Sequence, residues 1–182
     1  MHIPFHQRSL RLVGLPLKVG DRARDVRVIG NDLSPILPLA ASAEKMRLFL
    51  TVPSLDLPAC RAAIGRFNQL IVPLIQELGD SIAVFLISAD LPFAQVRWQV
   101  TEGIDNITLL SDYRDLDFAR NWGLLVQELG LLASSIYLVD HNGVVSYREI
   151  VSELTAELNY QAALAHLAVS ETVLKRQKLS LG

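Results

Sequence analysis

A single cysteine, Cys60, stands in a chain of 182 residues, so no internal disulfide can form. Runs free of acidic and basic side chains, such as 158–170, fall short of the roughly 18 apolar residues that a membrane span needs. A formal net charge of −2 supplies no attraction for nucleic acid or an acidic membrane. Phosphate loops and dinucleotide fingerprints are missing, and His2, His6, His141 and His166 form no HExxH pair. His2 and His6 have i, i+4 spacing, but in a Pro-containing terminus that does not make a metal site. Neither a metal nor a cofactor is expected. Glu149, Glu153 and Glu157 fit an exposed edge better than an acid–base pair, and Ser134-Ser135 has no His-Asp company. No repeat, low-complexity tract or linker interrupts the chain, so one domain over 1–182 is expected. The start, Met1-His2-Ile3-Pro4-Phe5-His6, lacks a secretory apolar core, which predicts a cytoplasmic protein.

What is abundant is apolar surface. Hydrophobic residues make up 51% of the chain, more than one soluble core needs, which points to a buried parallel sheet plus a hydrophobic subunit contact. The chain is organised around residues 46–68. Leu48, Phe49, Leu50 and Val52 predict a strand covered on both faces. Pro53 ends it, Ser54-Leu55-Asp56-Leu57 makes a loop, and Pro58 suits the first position of a helix. Ala62, Ala63, Phe67, Leu70 and Ile71 have helical spacing out to about Leu78, with Pro73 expected to bend or break the helix. Cys60 therefore lies in the first turn, where unpaired N–H groups and the helix dipole favour an anion such as a thiolate.

Short strands are predicted at 10–13 and 26–29, and loop over 31–43, which carries two prolines. Residues 82–87 predict a strand, which after the preceding strand and helix gives a right-handed parallel crossover. Helices follow at 93–101 and 116–122, with a strand at 108–111 between them. Strands 135–139 and 144–146 flank Asp140-His141-Asn142-Gly143, a strong hairpin signal. Tyr160, Leu164, Leu167, Val169 and Leu174 give a final amphipathic helix, closed by Lys175-Arg176-Gln177-Lys178 as a solvated, basic end. Trp98 and Trp122 read as core or dimer contacts. The class is α/β: a mixed central sheet, parallel in the middle with an antiparallel hairpin on one side, flanked by helices.

Pro53-Ser54-Leu55-Asp56-Leu57-Pro58-Ala59-Cys60 with Arg66-Phe67-Asn68, and Ile87-Ser88-Ala89-Asp90-Leu91-Pro92-Phe93-Ala94-Gln95, carry a family resemblance. Glu102-Gly103-Ile104, Leu110-Ser111, Asn31-Asp32-Leu33-Ser34 and Tyr160-Gln161-Ala162-Ala163-Leu164 echo it over most of the chain. The sequence resembles the thiol peroxidase branch of the peroxiredoxins, enzymes of thioredoxin-like fold that reduce hydroperoxides, a branch of the atypical two-cysteine type whose resolving cysteine this chain lacks. The resemblance implies a homodimer, with a hydroperoxide and an external, thioredoxin-like thiol reductant as partners if the chain is active. It makes Cys60 the catalytic residue and places Pro53, Leu57 and Ser134 at substrate-pocket positions.

Several positions depart from the family pattern. A Thr or Ser hydroxyl three residues before the cysteine is Leu57, the arginine before the hairpin aligns with Ser134, and the resolving cysteine falls at Gln99. The proline of an Ala-Pro-x-Phe segment is Arg24. An ordinary thiol, with a pKa of about 8.5, is only a few per cent thiolate at neutral pH. A helix N-terminus adds roughly 0.3–1 kcal/mol, and losing one oriented donor typically costs ~10²–10³ in rate. Weak or lost peroxidase activity is therefore expected, with Cys60 acting as a one-cysteine centre resolved by an external thiol. Arg61 and Arg97 are the candidate compensating cations. The alternative is a non-catalytic family member, a redox-sensing or protein-interaction module in which Cys60 is structural.

Overall fold

The computed structural model describes residues 2–5, 8–154 and 156–180, with side chains described as far as residue 170. His6 lies outside the described residues, and so do the side chains of Leu174 and of the basic run after it. In chain order the elements are β1 (His2–Phe5), β2 (Arg8–Val13), β3 (Val28–Ile29), β4 (Pro35–Ile36) and α1 (Pro38–Ala41). Then come β5 (Met46–Thr51), α2 (Pro58–Leu78), β6 (Ile82–Ser88), α3 (Pro92–Glu102), β7 (Thr108–Ser111) and α4 (Asp117–Asn121). The chain ends with β8 (Leu125–Val126), β9 (Leu131–Leu132), β10 (Ser135–Val139), β11 (Val145–Ile150) and α5 (Tyr160–Ser180).

A seven-stranded sheet runs in the order β11-β10-β5-β6-β7-β3-β4. Its centre, β5, β6 and β7, is parallel, and β10 and β11 form the expected antiparallel hairpin beside β5. A second, four-stranded sheet, β1-β2-β8-β9, is antiparallel throughout.

Every residue of β5 is buried, which is why its middle, Leu48-Phe49-Leu50, reads as an apolar run. Met46, Leu48 and Leu50 face a cluster built from Ile64, Phe67 and Ile71 of α2 and Leu164 and Leu167 of α5. Phe49 faces the opposite way, stacked on Phe85 at 5.2 Å and packed on Trp122 at 4.9 Å. Large side chains buried like these contribute about 1.5–3 kcal/mol each. Arg47, the one charged residue of the strand, is 4% exposed. Its guanidinium donates to Ser42 Oγ and to the carbonyls of Asp140 and Leu39, which satisfies a charge that burial would otherwise penalise.

Several local expectations are corrected. The helix α2 continues through Pro73. That residue is exposed, so the carbonyl one turn back that loses its partner is left near solvent. The stretch 31–43 is not all loop but holds β4 and α1. The strands β1, β8 and β9 add to the expected set: β8 and β9, at two residues each, are too short to show an alternation, and β1, His2–Phe5, carries a proline. Trp98 and Trp122 are both core residues.

Candidate active site

Leaving β5, the chain is held beside the sheet by Val52 N–H donating to the Ile87 carbonyl at 3.1 Å. It then crosses to α2, whose first residue is Pro58 and whose third is Cys60. Leu57 occupies the capping position, extended, with no side-chain hydrogen bond to the helix. The first intrahelical bond there runs from Arg61 N–H to the Leu57 carbonyl at 3.0 Å. Ala59 and Cys60 thus carry first-turn N–H groups with no partner inside the helix.

The loop between strand and helix is clamped by Asp90. Ser54 Oγ donates to Asp90 Oδ1 at 2.7 Å, while Leu55 N–H and Ser88 Oγ donate to Oδ2 at 2.7 and 2.8 Å. Gln95 Nε2 in turn donates to Ser88 Oγ and to the Leu110 carbonyl, each at 3.0 Å. The run from Ser88 to Gln95 is therefore the brace that fixes the cysteine loop, with most of its polar atoms committed to each other.

A cavity of about 410 Å³ opens on Cys60. Leu57, Pro58, Ala59, Ala62, Ala63, Ser134, Leu154 and Leu158 give it a largely apolar wall, and Arg66, Glu157 and Tyr160 supply its polar groups. Cys60 is 7% exposed and belongs to the same apolar cluster as Leu50, Ile64 and Phe67. Burial pushes its thiol above the ordinary value. The Ser54 backbone N–H works against that shift, and the Asp90 carboxylate adds to it. Tyr160 is raised by burial and then by the Glu157 carboxylate, with Arg66 opposing.

The structure brings Cys60, Leu57 and Ser134 together around this cavity. Pro53 is buried next to Val52, which lines the cavity, but is not itself part of the lining. Neither candidate compensating cation, Arg61 or Arg97, is among the residues lining the cavity. Arg61 pairs at 2.5 Å with Glu102 on α3, because adjacent positions on a helix diverge and Arg61 points away from the sulfur. Arg97 is exposed and absent from the lining, since α3 turns Gln95 and Trp98 inward and leaves Arg97 outside. Arg24 donates to the Asn121 carbonyl at 3.3 Å. Gln99 accepts from Asn31 Nδ2 and donates to the Ile107 carbonyl, both at 3.2 Å, so the resolving position is a structural crosslink away from the cavity.

Sequence reasoning missed Arg66, Glu157 and Tyr160 as cavity residues. Arg66 and Tyr160 stand inside segments that carried the resemblance, and that was the available signal. Glu157, read as an exposed edge, gives none, because its place comes from the turn between β11 and α5. Among the described residues no grouping of His, Cys, Asp and Glu could hold a metal ion, and no helix is long and apolar enough to cross a membrane.

A mixed sheet with helices on both faces, and a cysteine in the first turn of the helix after the central strand, defines a thioredoxin-like fold of the peroxiredoxin type. The redoxin family model matches residues 18–164. A thiol peroxidase of Bacillus subtilis is 43% identical over 159 residues, covering 87% of this chain and 92% of that protein. One from Clostridium acetobutylicum is 37% identical over 164 residues, covering 90% and 96%. Among solved structures, a peroxiredoxin-like protein from Aquifex aeolicus superposes with a TM-score of 0.79 at 32% identity, over 93% of this chain and 96% of that one. A thiol peroxidase from Chromobacterium violaceum, at 21% identity, shares the fold with a TM-score of 0.78 over 94% and 97%. The chain belongs to the peroxiredoxin family, in its thiol peroxidase branch.

Proposed function

We propose that the protein is a slow, one-cysteine thiol peroxidase with Cys60 as its reactive centre. The sulfur attacks one oxygen of a hydroperoxide, the O–O bond breaks, and an alcohol or water leaves with the proton while Cys60 becomes a sulfenic acid. The chain has no second cysteine, so an external thiol condenses with that sulfenic acid, releasing water, and a further thiol frees Cys60 from the mixed disulfide. Such chemistry suits a reducing, cytoplasm-like compartment. The observation that carries the reading is the cavity of about 410 Å³ with Cys60 in its wall. What makes the reaction slow is the lining itself. Leu57 and Ser134 stand where the family has a hydroxyl and an arginine, and two missing donors cost on the order of 10⁴ in rate.

A second reading, a non-catalytic interaction or redox-sensing module, is favoured by the burial of Cys60 within the apolar cluster around Phe67. Peroxide consumption with a generic thiol reductant separates the two. Slow turnover that disappears in Cys60→Ser, with sulfenic acid trapped at Cys60, supports the enzyme. Equal background rates in both proteins support the module.

The homodimer belongs to the same proposal. Phe93, Val96 and Val100 are 67%, 38% and 78% exposed at i, i+3, i+7 spacing on α3, and Leu91 just before the helix is 52% exposed. A second copy covering that stripe predicts a dimer in sedimentation and a monomer for Phe93→Glu. A wild type that sediments as a monomer removes this part.

A further inference from the structure

We propose that Arg66 is the activating cation of the Cys60 site and that Glu157 holds it off the sulfur, so that this ion pair sets whether the thiol is quiescent or reactive. The inference rests on Cys60 being the reacting group. Of the residues that line the cavity, Arg66 is the only cationic side chain. It lies six residues beyond Cys60 on α2, a rise of about 9 Å and roughly 120° around the helix, so the way from one to the other runs across the cavity that both line, past Tyr160, which interacts with both groups. Between them α2 presents the small side chains of Ala62 and Ala63 to the cavity.

In the structure the guanidinium goes elsewhere. Arg66 Nε donates to Glu157 Oε1 at 2.7 Å, with the two side chains 53% and 47% exposed. A pair that open to water is weak, so exchanging it for a thiolate costs little. Of the charged and titratable groups around the site, Asp90 at the junction of β6 and α3 acts on the sulfur, Tyr160 of α5 interacts with Cys60, Arg66 and Glu157, and Arg66 of α2 and Glu157 from the segment before α5 line the cavity with Cys60. Asp90 is committed to Ser54, Leu55 and Ser88, whereas Arg66 is held by a pair with Glu157 that is open to water.

A purely structural pair would pin residues 156–158 to α2, and losing it would change thermal stability without moving the pH profile of the thiol. The test is the pH dependence of Cys60 alkylation by iodoacetamide in the wild type, Glu157→Ala, Arg66→Met/Glu157→Ala and Arg66→Lys/Glu157→Ala. The expected result is a midpoint about one pH unit lower in Glu157→Ala, or roughly tenfold faster alkylation near neutral pH. That gain should vanish with Arg66→Met and survive with Arg66→Lys. A Glu157→Ala profile that superimposes on the wild type overturns the proposal. So does the same shift in the Arg66→Met double variant, which assigns it to the loss of the Glu157 charge alone. Should Arg66→Met fail to fold, Arg66→Gln/Glu157→Ala takes its place in the same comparison. Peroxide plays no part in alkylation: the expected shift without peroxide turnover would sink the peroxidase reading and leave this inference standing.

Discussion

At the scale of the residue, reactivity is decided by what surrounds one sulfur. The first-turn N–H groups favour a thiolate, while burial in an apolar wall and the nearby Asp90 carboxylate favour the neutral thiol. Burial is the larger effect, so the thiol is pushed above its ordinary value. Leu57 adds to this twice. It withholds a hydroxyl from the cavity, and it caps α2 with a side chain that cannot accept a hydrogen bond. Leu57→Thr is therefore expected to raise the rate of peroxide reduction by about ten- to a hundredfold, measured as Cys60 oxidation in stopped flow. Its stability should change little, because a Thr cap contributes about 1 kcal/mol and offsets part of the lost apolar packing of a half-buried leucine.

At the scale of the element, what could be read from the sequence depended on length and on burial of both faces. The strands β5, β6, β7 and β10 are four to seven residues long and mostly apolar, and their positions, the parallel centre and the antiparallel hairpin on one side were legible. The turns that seat Arg66 against Glu157, and the small sheet beside the cavity, were not, because contacts between segments far apart in sequence leave no periodic trace. The short helix α4 shows another contact of this kind. Asp112 accepts from Phe118 N–H at 3.1 Å and Ala119 N–H at 2.8 Å, yet burial outweighs these bonds and lifts its carboxyl to about 6. A carboxyl raised in the folded state binds its proton there before the unfolded chain does, near 3.9. Asp112 should thus make the protein gain stability as pH falls from above 6 toward 4, by at most about 3 kcal/mol. Thermal melts of the wild type against Asp112→Asn should show the wild type gaining on the variant across that interval. A constant difference would remove Asp112 as the cause.

At the scale of the whole molecule, the large sheet carries one apolar layer on each face, and the small sheet braces the end where the cavity opens. Phe5 and Leu154, from the side of the small sheet, complete the cavity wall, and Leu154 N–H donates to the Pro4 carbonyl at 3.2 Å. The architecture of the family is thus kept around a pocket in which Cys60 stands among Leu57, Ser134, Arg66, Glu157 and Tyr160, and the state of the sulfur there decides what the pocket can do. The most direct measurement is a titration of Cys60 in the unaltered protein by ultraviolet thiolate absorbance, with Cys60→Ser subtracted. The account predicts a midpoint above the ordinary thiol value of about 8.5. A midpoint below about 7, in the range of activated cysteines, would contradict it.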